Sequence, residues 1–170
     1  FVPINTNYRY GPEEIVYLFD NGDAEAVVFH GVFAELINGV RDKLPKVKRW
    51  YMVADEVTSV PDWAVDYNKV VNTQSAVVVP QKELSGDDML FLYTGGTTGM
   101  PKGVMWRQDD LISVLGRGGN AVQGVPAAES REEVISRIEP GGTGIKTLIA
   151  CPLMHGTGQF SAFISMATGG

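Results

Sequence analysis

The stretch that most constrains the fold is Met89 to Trp106, MLFLYTGGTTGMPKGVMW. Its first five residues, Met89 to Tyr93, are an unbroken apolar and aromatic run that suits a strand buried on both faces of a sheet. The next six, Thr94, Gly95, Gly96, Thr97, Thr98 and Gly99, supply three hydroxyls and three glycines, and Met100, Pro101, Lys102 and Gly103 follow. Glycines let backbone N–H groups approach an anion closely, threonines add hydroxyl donors, and one lysine adds a compact positive charge. These are the parts of a phosphate cradle. The spacing is not that of a P-loop, because Met100 or Pro101 stands where that pattern needs its second glycine, and a Rossmann G-x-G-x-x-G does not fit either. The plain alternative is a Gly/Thr-rich hairpin loop with a solvated lysine.

Composition confines any anion site to one place. Fourteen basic residues against twenty acidic ones give a net charge of −6, which argues against a surface that tracks nucleic-acid phosphates. The 44% apolar content over 170 residues is enough for a substantial core. Cys151 is the single cysteine, so an internal disulfide is excluded and a reducing compartment is suggested. No N-x-[ST] sequon, long apolar span or signal-like opening occurs, and the pattern predicts a soluble cytoplasmic protein without integral membrane contact. The opening at Phe1, inside an expected strand Phe1 to Ile4, and the stop at Thr168-Gly169-Gly170 predict that the chain is cut from something longer.

Along the chain, Gly11-Pro12-Glu13-Glu14 starts and Asn21-Gly22 ends a predicted helix, Pro12 to Asn21. Ala26 to Phe29 reads as a strand. Phe33, Leu36, Ile37, Val40 and Leu44 follow at helical spacing until Pro45, and Arg49 to Val53 is the next strand. This alternation predicts an α/β fold with a mainly parallel sheet flanked by helices. Trp63 to Val71 suggests a short helix, and Ala76 to Pro80 a brief strand or an extended connection. After the central strand and loop, Gly103 to Trp106 reads as a returning strand and Arg107 to Leu115 as a helix. Asn120 to Ser130 reads as a mobile surface excursion. Ser130-Arg131-Glu132-Glu133 is a capping box for a helix burying Val134, Ile135 and Ile138. Pro140 to Gly144 is a turn, Thr147 to Cys151 a buried strand, and Gly156 to Ala167 the last helix.

Tyr93 to Val104, YTGGTTGMPKGV, resembles the Y-T-S-G-T-T-G-x-P-K-G-V signature of the adenylate-forming superfamily, with Gly95 as the one departure in twelve positions. Pro3-Ile4-Asn5 with Pro12-Glu13-Glu14-Ile15-Val16-Tyr17, and Cys151-Pro152-Leu153-Met154-His155-Gly156, are similar to further stretches of that superfamily. Order and spacing look like an acyl-CoA synthetase. Trp106-Arg107 and the segment Ser130 to Ile138 look more like fatty-acid or steroid-side-chain ligases of actinobacteria than like luciferases or peptide synthetases.

The resemblance implies that residues 1–170 are a fragment of the large N-terminal AMP-binding domain of an enzyme using ATP, Mg2+ and CoA. It implies a carboxylic acid substrate, activated as an acyl-adenylate and then as a CoA thioester. Lys102 would neutralise the β- and γ-phosphates, with Thr94, Gly95, Gly96, Thr97, Thr98 and Gly99 holding the same oxygens. His155 would lie beside the acyl pocket and the nucleotide, at a strand's carboxyl end, although a packed structural histidine is an equally simple reading. His30 reads as structural, and Cys151 as a buried strand cysteine with no third group to orient a Cys/His pair. Two histidines and one cysteine do not make a structural zinc site. Downstream of the loop the sequence contains no Y-G-x-T-E, no T-G-D and no lysine-bearing C-terminal domain. The fragment alone is therefore expected to be inactive and to self-associate as a homodimer through faces its parent covers. The alternatives are a complete non-catalytic nucleotide-binding or interaction module, and an adenylation domain of a peptide synthetase.

Overall fold

The structure is a computed structural model that describes residues 1–73, 83, 85–95, 99–117, 124–139 and 146–170. It divides into two compact units, one comprising Phe1–Asn7, Leu84–Gly95 and Lys102–Gly170, the other Tyr8–Glu83 and Gly96–Pro101.

The unit built on Tyr8–Glu83 opens with helix α1, Pro12–Asn21, within the predicted bounds. Glu14 Oε2 accepts the Gly11 N–H at 2.8 Å, Pro12 stands in the first turn, and the chain leaves the helix through Asp23, whose φ is +48°. Aspartate is among the few non-glycine residues that take this left-handed conformation readily. Strand β1, Ala26–His30, buries alternate residues, with Val27 and Phe29 inside and Val28 outside. Helix α2 is Ala34–Val40, flanked by 3-10 turns at Gly31–Phe33 and Arg41–Lys43. The single long helix suggested by the Phe33 to Leu44 spacing is thus an α-helix tightened at both ends. Ile37, Val40 and Leu44 still reach the core, because 3-10 geometry keeps nearly the same face.

Strand β2, Arg49–Val53, pairs in parallel with β1 from Ala26↔Arg49 to His30↔Val53. Its other edge pairs in parallel with β3, Val65–Asp66, which helix α3, Tyr67–Thr73, follows directly. The region Trp63 to Val71 is therefore a short strand and then a helix. The helix starts four residues later than expected because Asp66 Oδ1 accepts the Lys69 N–H at 3.2 Å and Trp63 is drawn into the core. There it stacks on Phe29 at 5.7 Å and meets Trp50 edge-on at 6.4 Å, with the Arg41 guanidinium 5.3 Å from its ring centroid.

The other unit is built on an antiparallel hairpin of β4, Met89–Thr94, and β5, Lys102–Arg107, paired from Met89↔Arg107 to Thr94↔Lys102. Leu90, Leu92 and Tyr93 are buried, whereas β5 is exposed at every position except the half-buried Trp106. The opening residues do not form a full strand. Only Ile4 bridges Phe91, and Phe1 is wholly exposed, so an extended segment without a continuous partner stays irregular.

Helix α4, Gln108–Leu115, carries Asp109 and Asp110 in its first turn and buries Leu111. Helix α5, Arg131–Ile138, is capped by Ser130 Oγ, which accepts the Glu133 N–H at 3.2 Å, while Glu133 Oε2 reaches back to the Glu129 N–H at 2.8 Å. Ile135 and Ile138 are exposed and Val134 only half-buried, contrary to the apolar pattern, because no described element covers that side. The described end of the 120–130 segment is held in place: Ala128 is fully buried and exchanges hydrogen bonds with Arg117 through its N–H and carbonyl. Residues 146–150 form no strand and are mostly exposed, with Leu148 almost fully so, since no described strand lies alongside to complete their backbone hydrogen bonds. Helix α6, Gly156–Ala167, has the predicted bounds. Expectations for Ala76 to Pro80, the Asn120 end of the excursion and Pro140 to Gly144 lie outside the described residues.

Candidate functional site

Thr94 closes β4 and Lys102 opens β5, and the two are directly opposed across the last rung of the ladder. Thr94 and Lys102, where the motif loop leaves and rejoins the strands, therefore stand together at one mouth of the hairpin. Thr94 Oγ1 donates to the Lys102 carbonyl at 3.3 Å. The Lys102 side chain is exposed, and its ammonium forms no hydrogen bond or ion pair with another described residue. Gly96, Thr97 and Thr98 lie outside the described residues.

Gly95 and Gly99 bear on whether the loop suits a phosphate. A Cβ placed on either meets nothing within 4 Å, and neither has the positive φ that would itself require glycine. Neither packing against the described residues nor conformation requires glycine at these two positions, and the absence of a side chain leaves the main chain there open to approach. The residues present therefore fit a polyphosphate with an associated cation. Among the described residues no three His, Cys, Asp or Glu side chains gather to hold a metal. Any Mg2+ would take its oxygens mainly from phosphate and water, as such ions commonly do.

His155 is the N-cap residue of α6, extended at φ −98° and ψ 142°, and its exposed imidazole makes no cap hydrogen bond. Its backbone N–H donates to Pro152 and its carbonyl accepts the Gln159 N–H, each at 3.0 Å. The position is a turn into a helix, not a strand's carboxyl end, because residues 146–150 form no strand. The helix packs on the hairpin. A Cβ on Gly156 would stand 2.7 Å from Leu92 Cδ2 of β4, and Phe160 meets Trp106 of β5 edge-on at 5.6 Å. His155 thus borders the first turn of a helix seated on the strands that carry Thr94 and Lys102.

Cys151 is exposed and free, which corrects its reading as a buried strand cysteine. His30 takes the structural part expected of it: Nδ1 accepts the Val32 N–H at 3.4 Å and lies 3.7 Å from Asp55 Oδ2.

Sequence reasoning passed over three residues. At Gly158 a Cβ would be 2.7 Å from the Pro152 carbonyl oxygen and 2.9 Å from that of Cys151, so the glycine allows the turn to fold against the helix. The glycine three residues after His155, in His155-Gly156-Thr157-Gly158, is the signal that could have found it. At Gly103 a Cβ would be 3.0 Å from Tyr93 Cζ. Gln159 is buried with Oε1 unpartnered, and nothing in the pattern marks it.

A three-stranded parallel sheet with helices, and a hairpin that presents the exposed Lys102 opposite Thr94, define an α/β protein. The chain belongs to the family of AMP-binding enzymes, whose pattern matches residues 1–170. It is 38% identical over 168 residues to the medium-chain acyl-CoA ligase Mig of Mycobacterium avium, covering 98% of this chain and 30% of that protein. It is 34% identical over 171 residues to a 3-oxocholest-4-en-26-oate–CoA ligase of Rhodococcus rhodochrous, covering 99% and 30%. The chain thus spans about 30% of the length of these relatives. The fold is shared with ATP-bound MatB of Rhodopseudomonas palustris, at a TM-score of 0.66 and 20% identity over 99% of this chain and 29% of that one. A red-emitting luciferase of Phrixothrix hirtus also shares it, at a TM-score of 0.64 and 18% identity over 98% and 30%. The expected superfamily, acyl-CoA ligase branch and α/β fold are those found.

Proposed function

We propose that this chain supplies the polyphosphate-binding part of an ATP-dependent acid–thiol ligase. The observation that carries the reading is Lys102 standing free and opposite Thr94 at the mouth of the signature loop. In the reaction proposed for the whole protein, a carboxylate oxygen attacks the α-phosphorus of ATP and the bond to the β-phosphate bridging oxygen breaks. Pyrophosphate departs with that electron pair. The CoA thiolate then attacks the acyl carbonyl and AMP leaves. Lys102 and the N–H groups around Gly95 and Gly99 would meet the charge that accumulates on the departing pyrophosphate, where fixed donors lower the barrier most. Mg2+, when bound, would supply further charge neutralisation at the same phosphates.

The names of the two relatives support a medium-chain or steroid-side-chain acid as the substrate. His155, at the head of α6, is proposed to border that acid and the nucleotide. The parts expected to hold adenine and ribose have no counterpart among these 170 residues, and the chain by itself is proposed to be inactive. Its exposed Phe163, Ile164 and Met166 on α6 support homodimer formation by the isolated chain. Among the described residues no helix is long and apolar enough to cross a membrane, in keeping with a cytoplasmic setting. Carboxylate-dependent ATP–pyrophosphate exchange by the full-length protein tests the reading: exchange that requires Lys102 supports it, and its absence with medium-chain and steroid-side-chain acids overturns it.

A further inference from the structure

We infer that Tyr93 is a positioning residue for the polyphosphate subsite: its ring, lying across Gly103, holds the hairpin in the register that keeps Lys102 and Thr94 together at the mouth. The inference rests on the phosphate reading of that mouth.

Strand β5 has little of its own to fix its register. Its residues are exposed except for half-buried Trp106, so burial of one face does not select among alignments as it does in most strands. Side-chain contacts must supply the selection. At the end remote from the loop they are plain: the Arg107 guanidinium donates to Asp87 Oδ1 at 2.6 Å and faces Asp110, and Trp106 meets Phe160. Near the mouth, Tyr93 does this. It is nine-tenths buried, pairs across the ladder with Gly103, and presents its ring to that glycine. The place of a Gly103 Cβ lies 3.0 Å from Cζ, 3.2 Å from Cε2 and 3.3 Å from Oη, so a methyl group there would press on the outer ring edge and push it aside by a few tenths of an ångström.

Adjacent residues of a strand point to opposite faces, so fixing Tyr93 over Gly103 on one face sets Thr94 on the other, and the rung Thr94↔Lys102 follows. A slip by one residue would carry Lys102 to the opposite face. A methyl group at position 103 or loss of the ring at 93 is thus expected to disturb the lysine without touching it.

The test is titration of inorganic tripolyphosphate into the 170-residue chain, followed by amide NMR shifts at Thr94, Gly95 and Lys102, with thermal unfolding in parallel. Wild type and Tyr93→Phe are expected to bind alike. Tyr93→Leu and Gly103→Ala are expected to bind roughly tenfold or more weakly, the scale of one lost hydrogen bond to a charged group, with their melting changed little. The double variant is expected to be no worse than the weaker single one, because both changes break the same contact. The ring-current shift of the Gly103 α protons reads the packing in the wild type without any substitution. Unshifted α protons overturn the inference even where a variant fails to fold, as do both variants binding like wild type. A wild type whose mouth does not respond, and which matches Lys102→Met, overturns the phosphate reading itself.

Discussion

The Pro152 carbonyl oxygen lies 2.7 Å from where a Cβ on Gly158 would be, and this close approach sets the path by which the chain turns at His155 into α6. The obstacle to a side chain is backbone, which cannot rotate aside. Gly158→Ala is therefore expected to destabilise the protein by about 1–3 kcal/mol, the usual cost of overpacking. At roughly 2–4 °C per kcal/mol for a chain of this size, calorimetry reads the effect directly, and an unchanged melting temperature would show that the turn relaxes freely.

Lys102→Met keeps the bulk of the side-chain stem and removes the charge beside the proposed leaving pyrophosphate. In the full-length protein adenylation is expected to fall by roughly ten- to a thousandfold, the range for one lost electrostatic donor. Lys102 is exposed and unpartnered among the described residues, so folding is expected to be unaffected. A folded variant adenylating at the normal rate would make it an ordinary surface lysine.

Asp55 links folding to pH. The Thr58 N–H at 2.5 Å is the main group holding its carboxyl below the ordinary value near 3.8, opposed by desolvation and aided by the Val57 N–H at 3.0 Å and by His30. A depressed native pKa means that the stabilisation is complete above the unfolded value and is lost as pH falls through the native one. Asp55→Ala is therefore expected to lower the urea midpoint at neutral pH, with the gap from wild type narrowing as pH falls below about 3.8. A gap constant from pH 7 down to pH 2 would assign the residue's contribution to something other than its charge.

The 170-residue chain alone is expected to show no carboxylate-dependent pyrophosphate exchange with any acid, because the stretches expected to hold adenine and ribose are not among its residues. Exchange clearly above a blank preparation would contradict this.

Helix α6 is inverted relative to an ordinary amphipathic helix: Gln159 and Ser165 are buried while Phe163, Ile164 and Met166 are exposed. The isolated chain is expected to sediment as a dimer at micromolar concentration, and Ile164→Lys with Met166→Lys to return it to a monomer. A wild-type monomer at that concentration would count against association through this face.

The local signals in this chain carried far. Pro12 with Glu14, the apolar run at Met89 to Tyr93 and the Gly156 to Ala167 pattern each specify an element through propensity, capping or periodicity, which act over a few residues; the two helices stand at their expected bounds and the strand runs one residue further, to Thr94. The signature from Tyr93 to Val104 likewise placed the family, because its residues and spacing can be read without any distant partner. Other features depended on partners distant in sequence. Among the described residues, Thr147 to Cys151 has a strand's composition but no strand beside it, Val65–Asp66 becomes a strand only because β2 offers an edge, and Ile135 and Ile138 have a core pattern but are exposed. Backbone pairing and burial are completed by a second segment of chain, and a linear pattern does not say whether that segment arrives. For the same reason only the tertiary structure revealed the Tyr93 ring over Gly103 and the Pro152 carbonyl against Gly158, where a missing Cβ has meaning only through the atom that takes its place.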